Sequence, residues 1–401
     1  MMTEWLTIIG LNEDGLSELG DAAKAAIRDA STLIGGARHL SLIPPNPAQE
    51  RLAWPSPFSA AISMVLEKRG TPVCILASGD PMYYGVGATL SRHVATEEMR
   101  VVSAPSSFSL AAARMGWALQ DCVPLTVHGR PLELIHPHLH PKAKLLILSE
   151  NGHSPKLIAQ LLTQRRFGAS HLTVLEHMGS DKENHISGIA ADWHHQDCAD
   201  LNVVAVDCAG HAGLSNLAGL PDTAFHHDGQ LTKRDVRAAT LARLAPQPGE
   251  LLWDVGAGCG SISIEWMRTH PSLRAIAIEA NTTRQDFIRH NCHALGVPGL
   301  TLVSGHAPQA LHGLEQPDAI FIGGGLTAPD VSTLCWNALK PGGRLVVNAV
   351  TIESAALLTE LHERWGGELA QIGVTHADTL GRFHVWRPAL PVTILAAVKP
   401  G

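Results

Sequence analysis

Residues 251–261 read LLWDVGAGCGS, a run typical of a buried strand followed by a glycine turn and a serine. Gly256, Gly258 and Gly260 let the backbone turn tightly and approach a ligand closely. A helix predicted to begin near Ser261 would point its free N–H groups at that ligand. The stretch therefore predicts one strand–turn–helix unit of a doubly wound α/β sheet, with a ligand site at the turn.

The rest of the second half fits the same sheet. Glu279 ends the next predicted strand, about 20 residues beyond the glycine turn, where a carboxylate can accept hydrogen bonds from ribose hydroxyls. A nucleoside ligand is therefore expected. A helix is predicted over 232–244, with Thr232 as its N-cap and Asp235 at its third position. Strands are predicted at 251–255, 275–278, 300–303, 319–322, 344–348 and 392–398.

The first half alternates strands and helices independently. A strand at 6–9 enters a turn at 10–15, and an apolar helical face follows from Leu16 to Leu33, ended by Gly35-Gly36. Further strands are predicted at 73–77, 144–148, 172–175 and 203–206, with one ending at 101–105 and a helix at 109–115. The alternation predicts an α/β fold here too.

Length and composition indicate how many domains the chain has and which classes of partner it can bind. A chain of 401 residues suggests two or three domains, and the glycine-containing stretch 208–230 lacks a long periodic run. We predict domains at 1–207 and 226–401, joined by a linker at 208–225. A net charge of −7 excludes a broadly basic nucleic-acid binder but leaves a local basic pocket possible in principle.

The cellular setting is predicted from three further features. No window is apolar for long enough to span a bilayer, and the first residues lack a basic region before an apolar run. The seven cysteines are scattered without a Cys-x-x-Cys pair. We expect a reduced cytoplasmic chain, without membrane or nucleic-acid partners.

The spacing of the glycines separates two kinds of nucleoside site. Nicotinamide sites favour Gly-x-Gly-x-x-Gly, whereas this turn is Gly-x-Gly-x-Gly with Asp254 just upstream. It resembles motif I of class I S-adenosylmethionine (SAM) methyltransferases. Residues 304–308 follow the third strand, where such enzymes contact adenine, and 339–345 resemble their late helix-to-strand turn. A dehydrogenase, or glycines that serve only the turn, are the alternatives.

The first half resembles another SAM-binding family, the tetrapyrrole methylases. Residues 77–85, ASGDPMYYG, resemble its Gly-Asp-Pro loop, and Pro105-Ser106-Ser107 its Ser-Ser segment. The stretch 172–183 and Arg38-His39 fit as well. One departure is the opening turn GLNEDG at 10–15, where the family usually has Gly-x-Gly-x-Gly; Asn12 is expected to tolerate positive φ there.

The combination, with GQLTKRDVR at 229–237 opening the second half, resembles the decarboxylating precorrin methyltransferases of cobalamin biosynthesis. It implies a tetrapyrrole-methylase fold of two α/β subdomains, followed by a Rossmann-like class I methyltransferase fold. The implied reaction converts precorrin-6B to precorrin-8, using SAM at two sites and no metal. The first domain would methylate C5, and the second would methylate C15 and decarboxylate the C12 acetate. A homo-oligomer is also expected.

The resemblance assigns cofactor contacts in both halves. These contacts are Gly79, Asp80, Tyr83, Ser106 and Ser107 in the first half, and Thr232, Asp254, Gly256, Ala257, Gly258, Cys259, Gly260, Glu279, His306 and Ala307 in the second. Substrate contacts are predicted from the residues themselves. Gly323, Gly324 and Gly325 follow a strand at the carboxyl end of the sheet, where doubly wound folds bind ligands. Lys233, Arg234 and Arg237 form either a basic patch for the substrate's carboxylates or a solvated helix face, and Lys233 and Arg237 are taken as substrate contacts. Catalytic residues are not assigned, because methyl transfer chiefly needs orientation of the two reactants.

Two functional alternatives differ in class from this reaction. The chain could bind SAM as a regulatory protein, or it could methylate another small molecule or an RNA. Incorporation of methyl groups into a tetrapyrrole separates them. The histidines at 136, 138, 140, 194 and 195 are interpreted as solvent-facing loop residues, since they lack the fixed spacing of a metal site.

Overall fold

The computed structural model describes residues 4–17, 19–195, 198–211 and 213–401. The chain divides into two compact units. Unit 1 contains Met1–Arg130 and His138–Ala212, and unit 2 contains Pro131–Pro137 and Gly213–Gly401. Unit 2 thus begins within the stretch predicted as linker, and a short segment from the first half belongs to it.

The first sheet of unit 1 is fully parallel, with strand order β3-β2-β4-β1-β5. Buried apolar residues fill its central strands, as expected of a parallel sheet covered on both faces. Its elements are β1 (Leu6–Leu11), α1 (Asp21–Asp29), β2 (Thr32–Gly35), α2 (Ala37–Ser41), β3 (Glu50–Ala53), α3 (Ala61–Leu66), β4 (Val73–Ser78), α4 (Val86–Leu90) and β5 (Met99–Val102).

The predicted helix from Leu16 to Leu33 is wrong at both ends. The helix spans only Asp21–Asp29, and the next residue, Ala30, is already extended. Thr32–Gly35 forms the fully buried strand β2, which pairs with β3 and β4. Leu33 and Ile34 satisfy helical spacing by chance, but a place inside the sheet buries their side chains completely.

The second sheet of unit 1 is mixed, with strand order β6-β7-β10-β8-β9. Only the β6–β7 pair is parallel. Strand β7 coincides with its prediction, whereas β6 and β9 were not predicted. The elements are α5 (Ser107–Met115), β6 (Cys122–Thr126), β7 (Lys144–Leu148), α6 (Ser154–Gln164), β8 (His171–Glu176), β9 (Asn184–Ile189) and β10 (Asn202–Asp207).

Unit 2 contains a seven-stranded sheet of order β13-β12-β11-β14-β15-β19-β16. The first five strands are parallel, and β19 runs antiparallel to both its neighbours. The elements are α7 (Arg234–Leu244), β11 (Leu251–Val255), α8 (Ser261–Thr269), β12 (Arg274–Glu279), α9 (Thr282–Ala294), β13 (Thr301–Ser304), β14 (Ala319–Ile322), α10 (Val331–Ala338), β15 (Arg344–Ala349), α11 (Ile352–Trp365), β16 (Glu368–Ile372), β17 (Thr375–Leu380), β18 (Phe383–Pro388) and β19 (Val392–Val398).

Strand β11 lies at the centre of this sheet and its side chains alternate between two cores. Leu251, Trp253 and Val255 pack into one apolar cluster, while Leu252 packs into the other. The strand order reverses between β11 and β14, and such a reversal opens a crevice at the carboxyl ends of the strands. The predicted ligand turn after β11 therefore lies where doubly wound sheets bind ligands.

Two predictions for unit 2 need correction. Helix α7 begins at Arg234 with Lys233 as its N-cap, and no side-chain cap bond is made there. Thr232 is therefore not the N-cap. The sequence also did not predict β16 or the β17–β18 hairpin, which are mostly exposed and lack a long apolar run.

The cysteines and the hydrophobicity of the helices are the basis for the predicted cellular setting. All seven cysteines are free thiols, and six of them are buried. Over the ranges that the structure describes, no helix is long and apolar enough to cross a membrane.

Candidate cofactor sites in the two units

The predicted glycine turn opens into a large cavity in unit 2. The cavity has a volume of about 1700 Å³, well above the range of roughly 300–1,000 Å³ usual for a pocket that holds one drug-sized ligand. It lies at the carboxyl edge of the parallel strands. Predicted residues that line it are Thr232, Lys233, Gly256, Ala257, Gly258, Glu279, His306, Ala307, Gly323, Gly324 and Gly325.

The backbone of the glycine turn favours glycine at three positions. Gly256, Gly258 and Gly260 have φ values of 71°, 60° and 80°, in the left-handed region that side chains disfavour. A Cβ on Gly256 would lie 2.8 Å from the backbone of Gly324. The two glycine-rich loops after β11 and β14 therefore touch, backbone to backbone, and form one wall of the cavity.

Glu279 fixes this turn from the neighbouring strand. Its Oε2 accepts a hydrogen bond from the Gly258 N–H at 2.7 Å, and its Oε1 accepts one from the Asn281 N–H at 2.8 Å. The residue is buried yet lines the cavity. Each carboxylate oxygen can accept a second hydrogen bond. Glu279 can therefore hold the glycine turn and still accept bonds from the hydroxyls of a ribose.

Asp254 lies beneath the turn and does not line the cavity. Its Oδ2 accepts hydrogen bonds from the Ser263 N–H at 3.1 Å and the Ser263 hydroxyl at 2.6 Å, which satisfies a free N–H of the first turn of α8. Burial raises the pKa of Asp254 to about 6; the bonds from Ser263 oppose this rise and the charge of Glu279 adds to it. The geometry gives Asp254 a supporting place behind the turn.

Three other predicted residues also lie outside the cavity lining. Cys259 is buried, and Gly260 precedes α8 with its Cα facing Ile264 and Ile288. Arg237 is fully buried, with its Nε donating to Glu265 at 2.6 Å and its Nη1 to Asp222 at 3.1 Å. This placement corrects the expectation that Arg237 binds substrate, because its donors are used inside the protein.

Lys233 remains in place as a basic side chain at the cavity. Its ammonium donates to the Gly229 carbonyl at 3.2 Å, and within the described ranges no carboxylate forms an ion pair with it. Arg284, which also lines the cavity, is instead paired with Asp228 at 2.8 Å. Lys233 is therefore available to attract an acidic substituent of a ligand.

The sequence did not single out several residues that line this cavity. His376 comes from strand β17, and its Nε2 lies 3.9 Å from Asp235 Oδ2. Asn348, at the end of β15, donates to Thr240 at 2.9 Å and keeps a buried Oδ1 without a hydrogen-bond partner. No local motif marks either residue, because each is brought to the cavity by pairing or crossover far along the chain.

Unit 1 has a smaller cavity, of about 330 Å³, at the carboxyl edge of its parallel sheet. Four predicted residues line it: Asp80, Tyr83, Ser106 and Ser107. Gly79 is adjacent, and a Cβ on it would lie 3.0 Å from the Pro105 carbonyl. The structure therefore brings the Gly-Asp-Pro loop and the Ser-Ser segment together.

The polar groups of these two segments hold the local backbone. Asp80 Oδ1 accepts from the Met82 N–H at 2.9 Å and from the Ser103 hydroxyl at 3.1 Å. Ser106 caps α5, its Oγ accepting from the Ser109 N–H at 3.1 Å. Both side chains thus order their loops from within, and both residues line the cavity.

The opening turn at 10–15 does not line this cavity. Gly10 instead packs against Gly79, whose carbonyl oxygen would lie 1.9 Å from a Cβ on Gly10. Asn12 does not adopt the expected positive φ; Gly15 does, at 63°. The turn therefore supports the Gly-Asp-Pro loop from behind.

His39 is a polar residue of this cavity that the sequence indicated only through the Arg38-His39 segment. It lines the cavity, and its Nε2 lies 3.0 Å from both the Ser78 hydroxyl and Arg38 Nη2. Burial, with a smaller contribution from the Arg38 charge, lowers the pKa of His39 to about 4. The imidazole is therefore neutral at neutral pH.

Comparison with known proteins identifies both halves. The model of the tetrapyrrole (corrin/porphyrin) methylases matches residues 6–192, and that of the precorrin methyltransferase domain matches residues 223–399. A precorrin-6Y C(5,15)-methyltransferase [decarboxylating] of Sinorhizobium sp is 49% identical over 396 residues, which cover 98% of this chain and 96% of that relative. The chain belongs to the precorrin-6Y C(5,15)-methyltransferase (decarboxylating) family.

Two relatives correspond to parts of the chain. A cobalt-precorrin-7 C(5)-methyltransferase of Salmonella typhimurium is 29% identical over 205 residues, 50% of this chain and 98% of the relative. A probable cobalt-precorrin-6B C(15)-methyltransferase (decarboxylating) of Saccharolobus solfataricus is 32% identical over 144 residues, 34% of this chain and 72% of the relative. These two shorter relatives are thus each named for one methylation, whereas the Sinorhizobium relative is named for both.

Proposed function

We propose that the chain methylates precorrin-6B at C5 and C15 with SAM and removes the carboxyl group of the C12 acetate, giving precorrin-8. The proposal rests on the size and lining of the unit 2 cavity. In a member of this family, the glycine turn, Glu279, His306 and the glycines 323–325 converge on one cavity larger than a nucleoside requires. The remaining space can admit a macrocycle next to the cofactor.

In unit 2 the cofactor is proposed to lie along the glycine turn. Glu279 accepts bonds from the ribose hydroxyls, and His306 and Ala307 lie where the adenine is expected. The macrocycle occupies the side of Gly323, Gly324 and Gly325, and Lys233 attracts its carboxylates. Asp254 and Gly260 hold the turn and the start of α8 in position.

Methyl transfer and decarboxylation require little of the side chains beyond this placement of the cofactor and the macrocycle. Methyl transfer from a sulfonium is an in-line displacement, so alignment of the macrocycle carbon with the methyl group is the main contribution of the protein. The macrocycle itself accepts the electron pair released with CO2, and the CH2 carbon left at C12 then takes up a proton from solvent to become a methyl group. In the part of the chain that the structure describes, no cluster of three or more His, Cys, Asp or Glu side chains could hold a metal ion.

We propose a second SAM site in unit 1, formed by Gly79, Asp80, Tyr83, Ser106 and Ser107, with C5 methylation as its reaction. The separate C(5) and C(15) relatives support this division of labour. Unit 2 then methylates C15 and decarboxylates. A metal-free homo-oligomer in the cytoplasm, acting without nucleic acid or membrane, stays a prediction; light scattering of the purified chain checks its oligomeric part.

Mass spectrometry of precorrin-6B incubated with the full chain and SAM tests the reaction. The expected product carries two more methyl groups and lacks one CO2. A macrocycle that returns unchanged, while calorimetry shows SAM binding, would contradict the proposal and favour a regulatory role. Methyl transfer without loss of CO2 would reject the decarboxylation alone.

A further inference from the structure

The cavity of unit 1 has an aromatic lining that the cofactor contacts do not explain. Five aromatic side chains contribute to it, of which only Tyr83 is a proposed cofactor contact: Trp54, Phe58, Tyr83, Tyr84 and Phe108. Tyr83 and Tyr84 are the only tyrosines of the chain. Tyr83 packs edge-on against Phe108, with ring centroids 5.2 Å apart, and Trp54 packs edge-on against Phe58.

Tyr84 is held in an unfavourable backbone conformation. Its φ is 54°, a left-handed value that is an outlier for a bulky residue and is retained only where the surroundings impose it. The next residue, Gly85, turns so tightly that a Cβ there would lie 2.5 Å from the Pro81 carbonyl. The loop thereby keeps the Tyr84 ring at the mouth of the cavity, with 47% of the residue exposed.

An arginine lies against this exposed ring. The guanidinium carbon of Arg130 is 5.2 Å from the centroid of Tyr84, within the range of a cation–π contact. Arg130 is itself exposed, and within the described ranges no carboxylate forms an ion pair with it. Its N–H donors are therefore open to an acidic group on a ligand, in the planar geometry that suits a carboxylate.

The size of the cavity decides where a macrocycle can lie. At about 330 Å³ it is near the lower end of pockets that hold one ligand, so the cofactor leaves no room for a macrocycle beside it. The macrocycle must then cover the mouth, where Tyr84 and Arg130 are exposed. We propose that Tyr84 and Arg130 form the macrocycle-binding site of unit 1, the phenol ring packing on the macrocycle and the guanidinium binding one of its carboxylates.

This inference rests on the proposed C5 methylation by unit 1, and protection from nitration tests it without that reaction. Tetranitromethane modifies exposed tyrosines, and both tyrosines of the chain lie at this site. The macrocycle formed by the first methylation and decarboxylation of precorrin-6B should protect Tyr84 in the full chain, as measured by peptide mass spectrometry. Equal nitration of Tyr84 with and without a saturating concentration of that macrocycle would overturn the proposal.

Substitutions test the two side chains in the full chain. Tyr84→Gly removes the ring and suits the positive φ, so a loss cannot come from added strain. Tyr84→Gly and Arg130→Gln should each raise KM for the macrocycle in the second methylation at least about tenfold. This corresponds to a loss of roughly 1.4 kcal/mol of binding free energy. KM for SAM should stay unchanged. Tyr84→Phe should behave as wild type, and Arg130→Lys should fall between.

Arg92→Gln is the matched control, because it removes an exposed arginine of unit 1 that, unlike Arg130, makes no cation–π contact with a ring of this cavity within the described ranges. Unchanged KM for the macrocycle in both Tyr84→Gly and Arg130→Gln would reject the site while leaving C5 methylation by unit 1 intact. Conversely, protection of Tyr84 in a wild-type chain that shows no C5 methylation would reject the proposed function and retain the binding site.

Discussion

The two cavities begin with similar chain geometry and end with different chemistry. Each opens at the carboxyl edge of a parallel sheet, beside a glycine-containing turn that follows a strand. The cavity of unit 2 is about 1700 Å³ and is lined by glycines and charged side chains; that of unit 1 is about 330 Å³ and is lined by aromatic rings. The volume of unit 2's cavity therefore suits the proposed cofactor and macrocycle together, whereas that of unit 1 suits the proposed cofactor alone.

Each of the two candidate sites contains a carboxylate that accepts hydrogen bonds from its neighbouring loop. Glu279 binds the N–H groups of Gly258 and Asn281, and Asp80 binds the N–H of Met82 and the hydroxyl of Ser103. In both units an acidic side chain first orders the loop that meets the ligand. Loss of such a carboxylate should thus disturb a loop as well as remove a ligand contact.

Separating the units is the strongest test of the comparison. A fragment from Gly213 should convert precorrin-6B to a species one methyl group heavier and one CO2 lighter, and the fragment ending at residue 212 should add the other methyl group, because each contains its own cavity. Mass spectrometry of the products checks this. A C-terminal fragment that adds both methyl groups would reject the division of labour.

A start at residue 226 is the informative control for that experiment. It removes Asp222 and Leu220, two partners of the buried Arg237, which keeps its ion pair with Glu265, and a buried donor left without a partner costs about 1–3 kcal/mol. This shorter fragment should unfold at lower denaturant concentration than the fragment from Gly213.

The next largest expected effect is on the number of SAM molecules that the chain binds. Calorimetry with SAM should show a stoichiometry near two in the wild-type chain and near one in Gly256→Ala, whose Cβ would collide with the Gly324 backbone. Gly249→Ala is the control, since Gly249 has φ 89° but open space around it. A wild-type value of one that persists with precorrin-8 bound would show that only one unit binds SAM.

Removing the carboxylates one at a time should give smaller, separable effects. Glu279→Ala should weaken SAM binding in unit 2 by roughly ten- to a hundredfold, because bonds to a charged group contribute about 1.5–3 kcal/mol. Glu279→Gln keeps an acceptor and should lose less. Asp80→Ala should leave the unit 2 affinity unchanged. Calorimetry measures each site, and equal binding by Glu279→Ala would assign its carboxylate to the turn alone.

The smallest effect concerns stability against pH. The pKa of Asp254 is raised to about 6 from an ordinary value near 3.8, so between these values the folded chain holds a proton that the unfolded chain has lost. Stability from this group therefore falls as pH rises from about 4 to 6, by at most about 1.4 kcal/mol per pH unit. Asp254→Asn should flatten that slope in urea unfolding of the Gly213 fragment; an unchanged slope would contradict the shift.

Local patterns predicted the central strands well. Leu251–Val255 and Ala319–Ile322 have the predicted bounds, because buried strands of a parallel sheet are continuous apolar runs bounded by turns. The same reasoning misread Thr32–Gly35 as helix, since a few apolar residues fit both periods. It also missed the β17–β18 hairpin, whose side chains are mainly exposed and leave no apolar alternation.

The sequence by itself determined the α/β class of both halves, the turns at 256–260 and 79–85, and the acidic residues beside them. Strand ends, glycines and short-range spacing are local properties, and backbone sterics fix their consequences. Only the tertiary structure decided that Arg237 is buried among Glu265 and Asp222, that Asn348 and His376 reach the unit 2 cavity, and that Arg130 lies on Tyr84. Those placements depend on residues far apart in the chain, which meet only when the sheets and helices pack.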